Sequence, residues 1–572
     1  MPASLSRAFL MQNSLVSELQ AVVGRSAVLT RPGPMRRYLR GYRFGAGQAR
    51  AVVLPDSLVA LWRVLQVCVR QGVVVIAQAA NTGLTGGSTP FGDDYDREVV
   101  VIGTRRLKGL QLLGQGRQVV ALPGATLDEL EKALKPLGRE PHSVIGSSCL
   151  GASVIGGICN NSGGSLIRRG PAYTELALFA RLNDAGQLEL VNHLGIKLGD
   201  APEEILSRLE RGTYDDSVVT WPIDKAASDP DYTRHVRDIE ADTPARYNAD
   251  PRRLYEAAGS AGRVMVFAVR LDTFEQERDT QVFYIGTNDP AELTWIRRSL
   301  LANPAPLPIA AEYLHRGAFD IAERYGKDIF LLVRRLGTQR LPALFTCKSR
   351  LDALAERLPG VPANLSDRLM QWASGLFGSH LPARLLAFRD RFEHHLMIKA
   401  AGEGIPVLRA LLSERYPGGS GDYFQCSTEE GAAAFLHRFA TAGAAVRYAA
   451  VHPQRCAGVV ALDIALARND QDWFEQLPQE IEHRIEHKLY YGHFFCHVFH
   501  QDYLLSAGAS WQEVKAELLA LLNQRGAHYP AEHNVGHLYP AAPAMVDHYR
   551  TLDPCNCFNP GIGKTSKRAH WH

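Results

Sequence analysis

The stretch Ile76–Pro90 reads IAQAANTGLTGGSTP, and few folds can use it. An apolar run, Val73–Ile76, leads into it and predicts a buried strand. Beyond Gln78 the side chains turn small: Asn81, Thr82, Gly83, Thr85, Gly86, Gly87 and Ser88 are interrupted only by Leu84. Glycine permits positive φ and close approach of another group. Exposed backbone N–H groups flanked by hydroxyls form a cradle for an anion, most often phosphate. The spacing is neither that of a P-loop nor Gly-x-Gly-x-x-Gly. A tight loop between strands uses the same residues, so this stretch alone leaves both readings open. A second stretch, Gly146–Ser165, reads GSSCLGASVIGGICNNSGGS. It is too rich in glycine, and too interrupted by Asn160, Asn161 and Ser162, for a membrane helix. Two such stretches suggest one long ligand lying against backbone from two sides, which is the shape of a dinucleotide.

The 572 residues allow two to four domains at roughly 150 residues each. A net charge of +3 does not point to nucleic acid. Nine cysteines include only one C-x-C pair, Cys555 and Cys557, so free thiols in a reducing compartment are expected. No signal-peptide pattern is seen, and no run of about 18 apolar residues exists, so any membrane contact is expected to be peripheral.

Leu58, Leu61, Leu65 and Cys68 predict a helix over Ser57–Gln71. Val99–Ile102 and Gln118–Ala121 read as strands, and Leu127–Leu134 as a helix with acidic residues early. Glu175–Leu190 suggests two strands, Asp200–Asp250 a polar excursion, and Ser260–Leu271 a strand after a glycine turn. Composition shifts after Asp272. Gln281–Ile285 predicts a strand and Asp289–Leu301 a helix. Alternating elements follow over Met397–Ala467, with Ala432–Gly443 and Ala444–Val451 among them. The arginine-rich stretch Thr30–Gln48 reads as a solvated loop, with a phosphate or membrane contact as the alternative.

Between these lies Ile329–Arg384, where eight basic residues face three acidic ones and Leu369, Met370, Trp372, Leu376 and Phe377 add apolar bulk. Cations for anionic headgroups beside apolar side chains suit a membrane interface, although an amphipathic helical pair packed on its own domain has the same composition. Further on, Gly492–Tyr503 carries His493, His497 and His500 among apolar residues and reads as a core strand. Alternation then puts His500 on the face opposite His493, unless the chain bends. In Tyr529–Tyr539, a helical turn could pair His533 with His537, although Glu532 precedes the first histidine, unlike His-Glu-x-x-His.

The order Pro55–Ser57, helix, strand, Asn-Thr-Gly-Leu-Thr-Gly-Gly, then Leu122–Thr126 and Gly156–Gly164, resembles the FAD-binding domain of the vanillyl-alcohol oxidase and p-cresol methylhydroxylase family. Over nearly the whole chain, REPHSVIGSSC, NHLGIKLG, DIEADTPARYNADP, EHNVGHLY and NPGIGKTSKR resemble the bacterial membrane-associated, quinone-dependent D-lactate dehydrogenases. The resemblance implies an α+β fold. Residues 1–271 would form an FAD-binding domain of two α/β subdomains. Residues 272–315 and 391–522 would form a discontinuous cap with an antiparallel sheet, 316–390 a membrane-binding insertion, and 523–572 a return to the FAD domain. It implies non-covalent FAD held by Ala79, Ala80, Asn81, Thr82, Gly83, Gly87, Ser88, Gly146, Ser153, Gly163 and Val266.

Related FAD-linked 2-hydroxy acid dehydrogenases carry two histidines seven residues apart and an Ala-Glu-His motif. His493, His500 and Ala531–His533 keep those spacings, but Phe494–Phe499 replaces the family's Gly-Asp-Gly-Asn stretch. This implies a divalent metal on His493, His500 and Glu532, with His533 as the base. A substrate carboxylate needs a cation, and Arg389, Arg391 and Lys399 are expected to supply it. The expected partners are D-lactate, membrane quinone and an anionic phospholipid surface at the cytoplasmic face of the inner membrane, and no nucleic acid. Another D-2-hydroxy acid such as D-2-hydroxyglutarate or glycolate, or a non-catalytic flavin-binding scaffold, are the alternatives.

Overall fold

The computed structural model describes residues 14–143, 151–222, 224–337, 348, 351, 364–416 and 418–572. Gly146 therefore lies outside the described residues, as do Arg340, Arg350 and Arg357.

Runs of β-branched residues with no polar alternation form the centre of the first sheet, as expected where both faces are covered. Its order is Val28–Leu29, Ala51–Val53, Val99–Gly103, Val74–Gln78, the last three parallel. Helix Leu58–Arg70 makes the crossover. Ser57 caps it by accepting from the Ala60 N–H at 3.1 Å, and its apolar side, Leu58, Leu61, Trp62, Leu65 and Cys68 included, is buried. The free edge of Val74–Gln78 is taken by a segment from far down the chain. The Val75 N–H donates to the Cys557 carbonyl at 2.9 Å, and the Asn559 N–H to the Val75 carbonyl at 2.8 Å. A second, antiparallel sheet of five strands runs Leu110–Leu113, Gln118–Ala121, Met265–Asp272, Ala177–Leu182, Leu188–Asn192. Helix Leu127–Leu134 flanks it, closed by a capping box between Thr126 and Glu129.

The third sheet has seven antiparallel strands in the order Asp422–Gln425, Thr280–Thr287, His394–Ala401, Ala310–His315, Ile485–His493, Val498–Ser506, Cys456–Ala465. One face packs under Pro290–Ala302, Gly404–Arg415 and Trp511–Gln524. The other packs under Arg316–Tyr325 and the long helix Thr428–Val451. That helix is continuous, so Ala432–Gly443 and Ala444–Val451 are one element. Nothing in this alanine-rich stretch breaks a helix, and the Ser427–Glu430 capping box starts it.

The stretch Gly492–Tyr503 is a hairpin, where alternation suggested one core strand. A 3-10 turn, Phe494–Cys496, reverses the chain, and His497 closes it with φ 52°. Gly492 is needed there, because a Cβ on it would lie 2.4 Å from the Val498 carbonyl oxygen. Buried Arg297 holds the turn through the Phe495 carbonyl at 3.2 Å. Helix Leu365–Ser374 is pinned to the long helix by a buried arginine: Arg447 Nε meets Asp367 at 2.7 Å and its Nη2 meets Asp328 at 2.9 Å.

Candidate functional site

Sheet register brings the polar residues together. Glu312 pairs across the ladder with His493, Tyr491 with His500, and His500 with Asp463. Directly opposed residues share a face, and so do alternate ones along a strand. Four consecutive strands therefore present Glu312, His493, His500 and Asp463 on the side of the long helix. The hairpin accomplishes what a single strand could not, placing the His493 and His500 rings 5.4 Å apart.

The irregular segment Ala531–His537 crosses this face. Its Glu532 N–H donates to Asp463 Oδ2 at 2.7 Å, and its Oε2 lies 3.2 Å from His493 Nε2 and 3.8 Å from His500 Nε2. One ligand atom from each of His493, His500 and Glu532 lies within 4.8 Å of the others, the spacing a single cation can bridge. His493 Nδ1 lies 2.6 Å from Glu312 Oε1, the carboxylate-to-histidine arrangement that orients metal-binding imidazoles. The donor set of two imidazoles and a carboxylate fits a divalent cation. Burial alone would lower His493, but Glu312 and Glu532 raise it to about 9. Burial alone would raise Glu532, but His493 and Arg246 hold it well below the usual carboxylate range. Burial pushes Asp463 up to about 6, against the pull of His533. His533 sits at the open side of the cluster, its Nε2 3.7 Å from Asp463 Oδ2 and its side chain 34% exposed. His537 does not join it. Its Nε2 lies 3.0 Å from the Thr89 carbonyl and its ring stacks on Phe91, because Ala531–Val535 is irregular and no helical turn runs from His533 to His537.

The same segment touches both glycine-rich stretches. Asn534 donates to Asn160 Oδ1 at 2.9 Å and accepts Thr85 Oγ1 at its carbonyl at 2.7 Å. In the first stretch Asn81 takes φ 54°, donates to the Arg40 carbonyl and accepts from Ser88 Oγ at 3.1 Å. Ala79, Ala80, Thr82, Gly87 and Ser88 are half-buried, and a Cβ on Gly83 would meet nothing within 4 Å. In the second, Ser153 caps Val154–Cys159, and Asn161 takes φ 43°. Val266 lies at a bulge in its pairing with Ala177–Leu182. Around these stretches His142 Nδ1, Ser143 Oγ, Asn161 Oδ1, Asn248 Oδ1, Ser260 Oγ and Asn559 Oδ1 are buried with no hydrogen-bond partner among the described residues. Orphaned polar atoms in such number fit a polar ligand.

Gly163 joins cradle and cluster. A Cβ there would lie 2.3 Å from Glu532 Oε1. Gly163→Ala is expected to displace that carboxylate and reduce turnover about a hundredfold, with folding retained. Wild-type turnover in the variant would show that Glu532 has no fixed position to lose.

Arg389 and Arg391 are not brought to the cluster. Arg389 pairs with Asp320 at 2.9 Å and Glu323 at 3.0 Å, and Arg391 with Asp422 on the outermost strand at 3.0 Å. Their helix, Ala383–Arg391, ends before the strand reaches the cluster's rows. Lys399 stays adjacent, two residues from Met397, which pairs with Glu312. The charged excursion, opaque in sequence, supplies Arg246. Its Nη2 donates to Glu532 Oε1 at 2.6 Å and also to the Gly164 carbonyl.

A family model described as D-lactate dehydrogenase, membrane binding, matches residues 282–571, and one described as FAD binding domain matches residues 49–177. The quinone-dependent D-lactate dehydrogenase of Escherichia coli (strain K12) is 58% identical over 558 residues, covering 98% of both chains. That of Haemophilus influenzae (strain ATCC 51907 / DSM 11121 / KW20 / Rd) is 55% identical, covering 97% of this chain and 99% of the relative. This chain belongs to the quinone-dependent D-lactate dehydrogenase family. It carries that family's FAD-binding domain and membrane-binding region. Among solved structures, p-cresol methylhydroxylase with substrate bound aligns with TM-score 0.57 at 12% identity over 97% of each chain. Alkyldihydroxyacetonephosphate synthase aligns with TM-score 0.57 at 12% identity, over 96% of this chain and 84% of the other. At such identities the likeness concerns the fold alone, and the antiparallel cap sheet over an FAD-binding domain agrees with the α+β architecture expected.

Proposed function

We propose that this chain oxidises D-lactate to pyruvate and passes the electrons to membrane quinone. The observation that carries this is the convergence of His493, His500, Glu532 and His533 beside a dinucleotide cradle, in a chain of this family. Ala79–Gly83, Gly87, Ser88, Ser153, Gly163 and Val266 would hold FAD, which when bound supplies the hydride acceptor. His493, His500 and Glu532 would hold a divalent cation, which would polarise the substrate's hydroxyl oxygen. His533 takes the hydroxyl proton. An imidazole suits that task near neutral pH, and Asp463 Oδ2 lies 3.7 Å from its Nε2. The buried Glu312–His493 contact orients one ring, and Arg246 balances Glu532.

Anaerobic addition of D-lactate to the purified flavoprotein tests this. Rapid loss of the flavin's visible absorbance is expected with D-lactate, and not with L-lactate, glycolate or D-2-hydroxyglutarate. Preference for a longer acid would sink the substrate assignment.

Among the described residues no helix is long and apolar enough to cross a membrane. Helix Leu365–Ser374 and the turn after it expose Leu369 at 48%, Trp372 at 69%, Leu376 at 70% and Phe377 at 46%. Leu369, Trp372 and Leu376 recur at helical spacing, so they share one face. Arg335 lies over the Phe377 ring at 5.5 Å. We read this face as entering the headgroup boundary of an anionic membrane, on the cytoplasmic side. The double variant Trp372→Ser, Leu376→Ser is expected to release the protein from phosphatidylglycerol vesicles, with flavin reduction by D-lactate unchanged. Cosedimentation checks it, and undiminished binding would place the contact elsewhere.

A further inference from the structure

With Arg389 and Arg391 occupied elsewhere, the substrate's carboxylate needs another cation. We propose that Arg438, on the long helix over the sheet, is the guanidinium that takes it, and that this contact makes the site select 2-hydroxy acids over their uncharged amides. The inference rests on reading the site as a 2-hydroxy acid dehydrogenase.

Four observations support it. Arg438 reaches from helix Thr428–Val451 into the cluster, where its Nε lies 2.9 Å from Glu312 Oε2. Glu312 is shared with His493 Nδ1, so the arginine sits one side chain away from a proposed metal ligand. The guanidinium lies over the Tyr491 ring, with Cζ 4.7 Å from the centroid, and the Tyr491 hydroxyl donates to Asp502 at 2.7 Å. The Tyr491 contact and the Glu312 ion pair together hold the guanidinium in place. Finally, Nε and Nη2 are buried with no hydrogen-bond partner among the described residues, in a side chain only 11% exposed. A guanidinium offers five N–H donors in a rigid fork matched to a carboxylate. Here Nε stands at ion-pairing distance from Glu312 without a hydrogen bond to it, and the Nη groups have no protein acceptor among the described residues. An unmet buried donor is costly, and a ligand carboxylate satisfies it.

The other cations serve less well. Arg246 has both Nη groups committed, Nη1 to the Leu166 carbonyl at 3.5 Å and Nη2 to Gly164 and Glu532, leaving only a lone Nε. Lys399 lies on the same sheet face but is half-buried, and it offers a point charge without a fork.

The test uses the full-length, FAD-loaded protein in four forms: wild type, Arg438→Met, Arg438→Lys and Lys399→Met. Anaerobic flavin reduction is followed with D-lactate and with D-lactamide, which keeps the hydroxyl and Cα hydrogen but has no charge. Calorimetry measures binding of oxalate. Truncating one partner of a buried charged contact costs about a hundredfold or more. Arg438→Met is therefore expected to slow reduction by D-lactate and weaken oxalate by about that factor, while D-lactamide changes less than about threefold. Arg438→Lys should recover part of the D-lactate loss, since it restores charge without the fork, and it keeps the test alive if the methionine variant does not fold. Equal losses for acid and amide would overturn the proposal, making Arg438 a structural partner of Glu312. A selective loss in Lys399→Met alone would move the role to that residue. If no 2-hydroxy acid reduces the wild-type flavin, the dehydrogenase reading fails, whereas oxalate binding still reports on Arg438.

Discussion

Alanine at position 533 is expected to slow flavin reduction by D-lactate by about 10²–10⁴-fold, the range a positioned general base contributes. The side chain is the most open member of the cluster, so its removal leaves no cavity. Its carbonyl accepts from Asn248 and its neighbour Glu532 is buried, so the backbone should keep its place. FAD content and thermal stability are thus expected to match wild type. Stopped-flow absorbance with D-lactate, beside a flavin-to-protein ratio, separates the two effects. A reduction rate within threefold of wild type would remove His533 from the chemistry and return attention to Asp463.

Glu532→Gln should do more damage, because Glu532 satisfies three groups at once. Its side chain takes Arg246 on one oxygen and His493 on the other, and its backbone is tied to Asp463. Glutamine keeps the volume and removes the charge, leaving Arg246, 2% exposed, as an uncompensated buried cation. Breaking a buried pair in this way costs about 3–5 kcal/mol. We expect a clearly lowered apparent melting temperature, loss of any bound divalent metal in elemental analysis, and turnover that no longer responds to chelator. Full metal content and chelator sensitivity in the variant would place the cation elsewhere.

Much of the architecture is legible in sequence because its signals are local. The Val99–Ile102 run, the Leu127–Leu134 period and the small-residue stretches announce themselves within a dozen residues. The histidine hairpin does not. Its turn depends on a close approach at Gly492 and on Arg297, some two hundred residues away, so alternation alone sets His493 against His500. Family spacing brought His493, His500 and Glu532 to notice where residue patterns could not. The carboxylates around them, Glu312 and Asp463, are invisible for a different reason. They become neighbours only through the register of four strands, two of them the arms of the hairpin and one, Ala310–His315, far from the rest in sequence. Arg389 and Arg391 misled because charge runs look alike whether they face a substrate or, as here, the carboxylates of neighbouring elements.

The strand edge filled by Cys557–Asn559 carries a lesson about timing. Asn559 Nδ2 donates to the carbonyls of Gly87 and Ala261, so a segment far down the chain ties the first glycine-rich stretch to the sheet beneath it. A ribosome that has produced only the first half of the chain has made every glycine of the cradle and the Arg40 contact of Asn81, but neither Asn534 nor Asn559. Flavin uptake should therefore wait until Asn559 has been synthesised. Nascent chains stalled before Phe558 would present an open strand edge to chaperones instead of a loaded cofactor site.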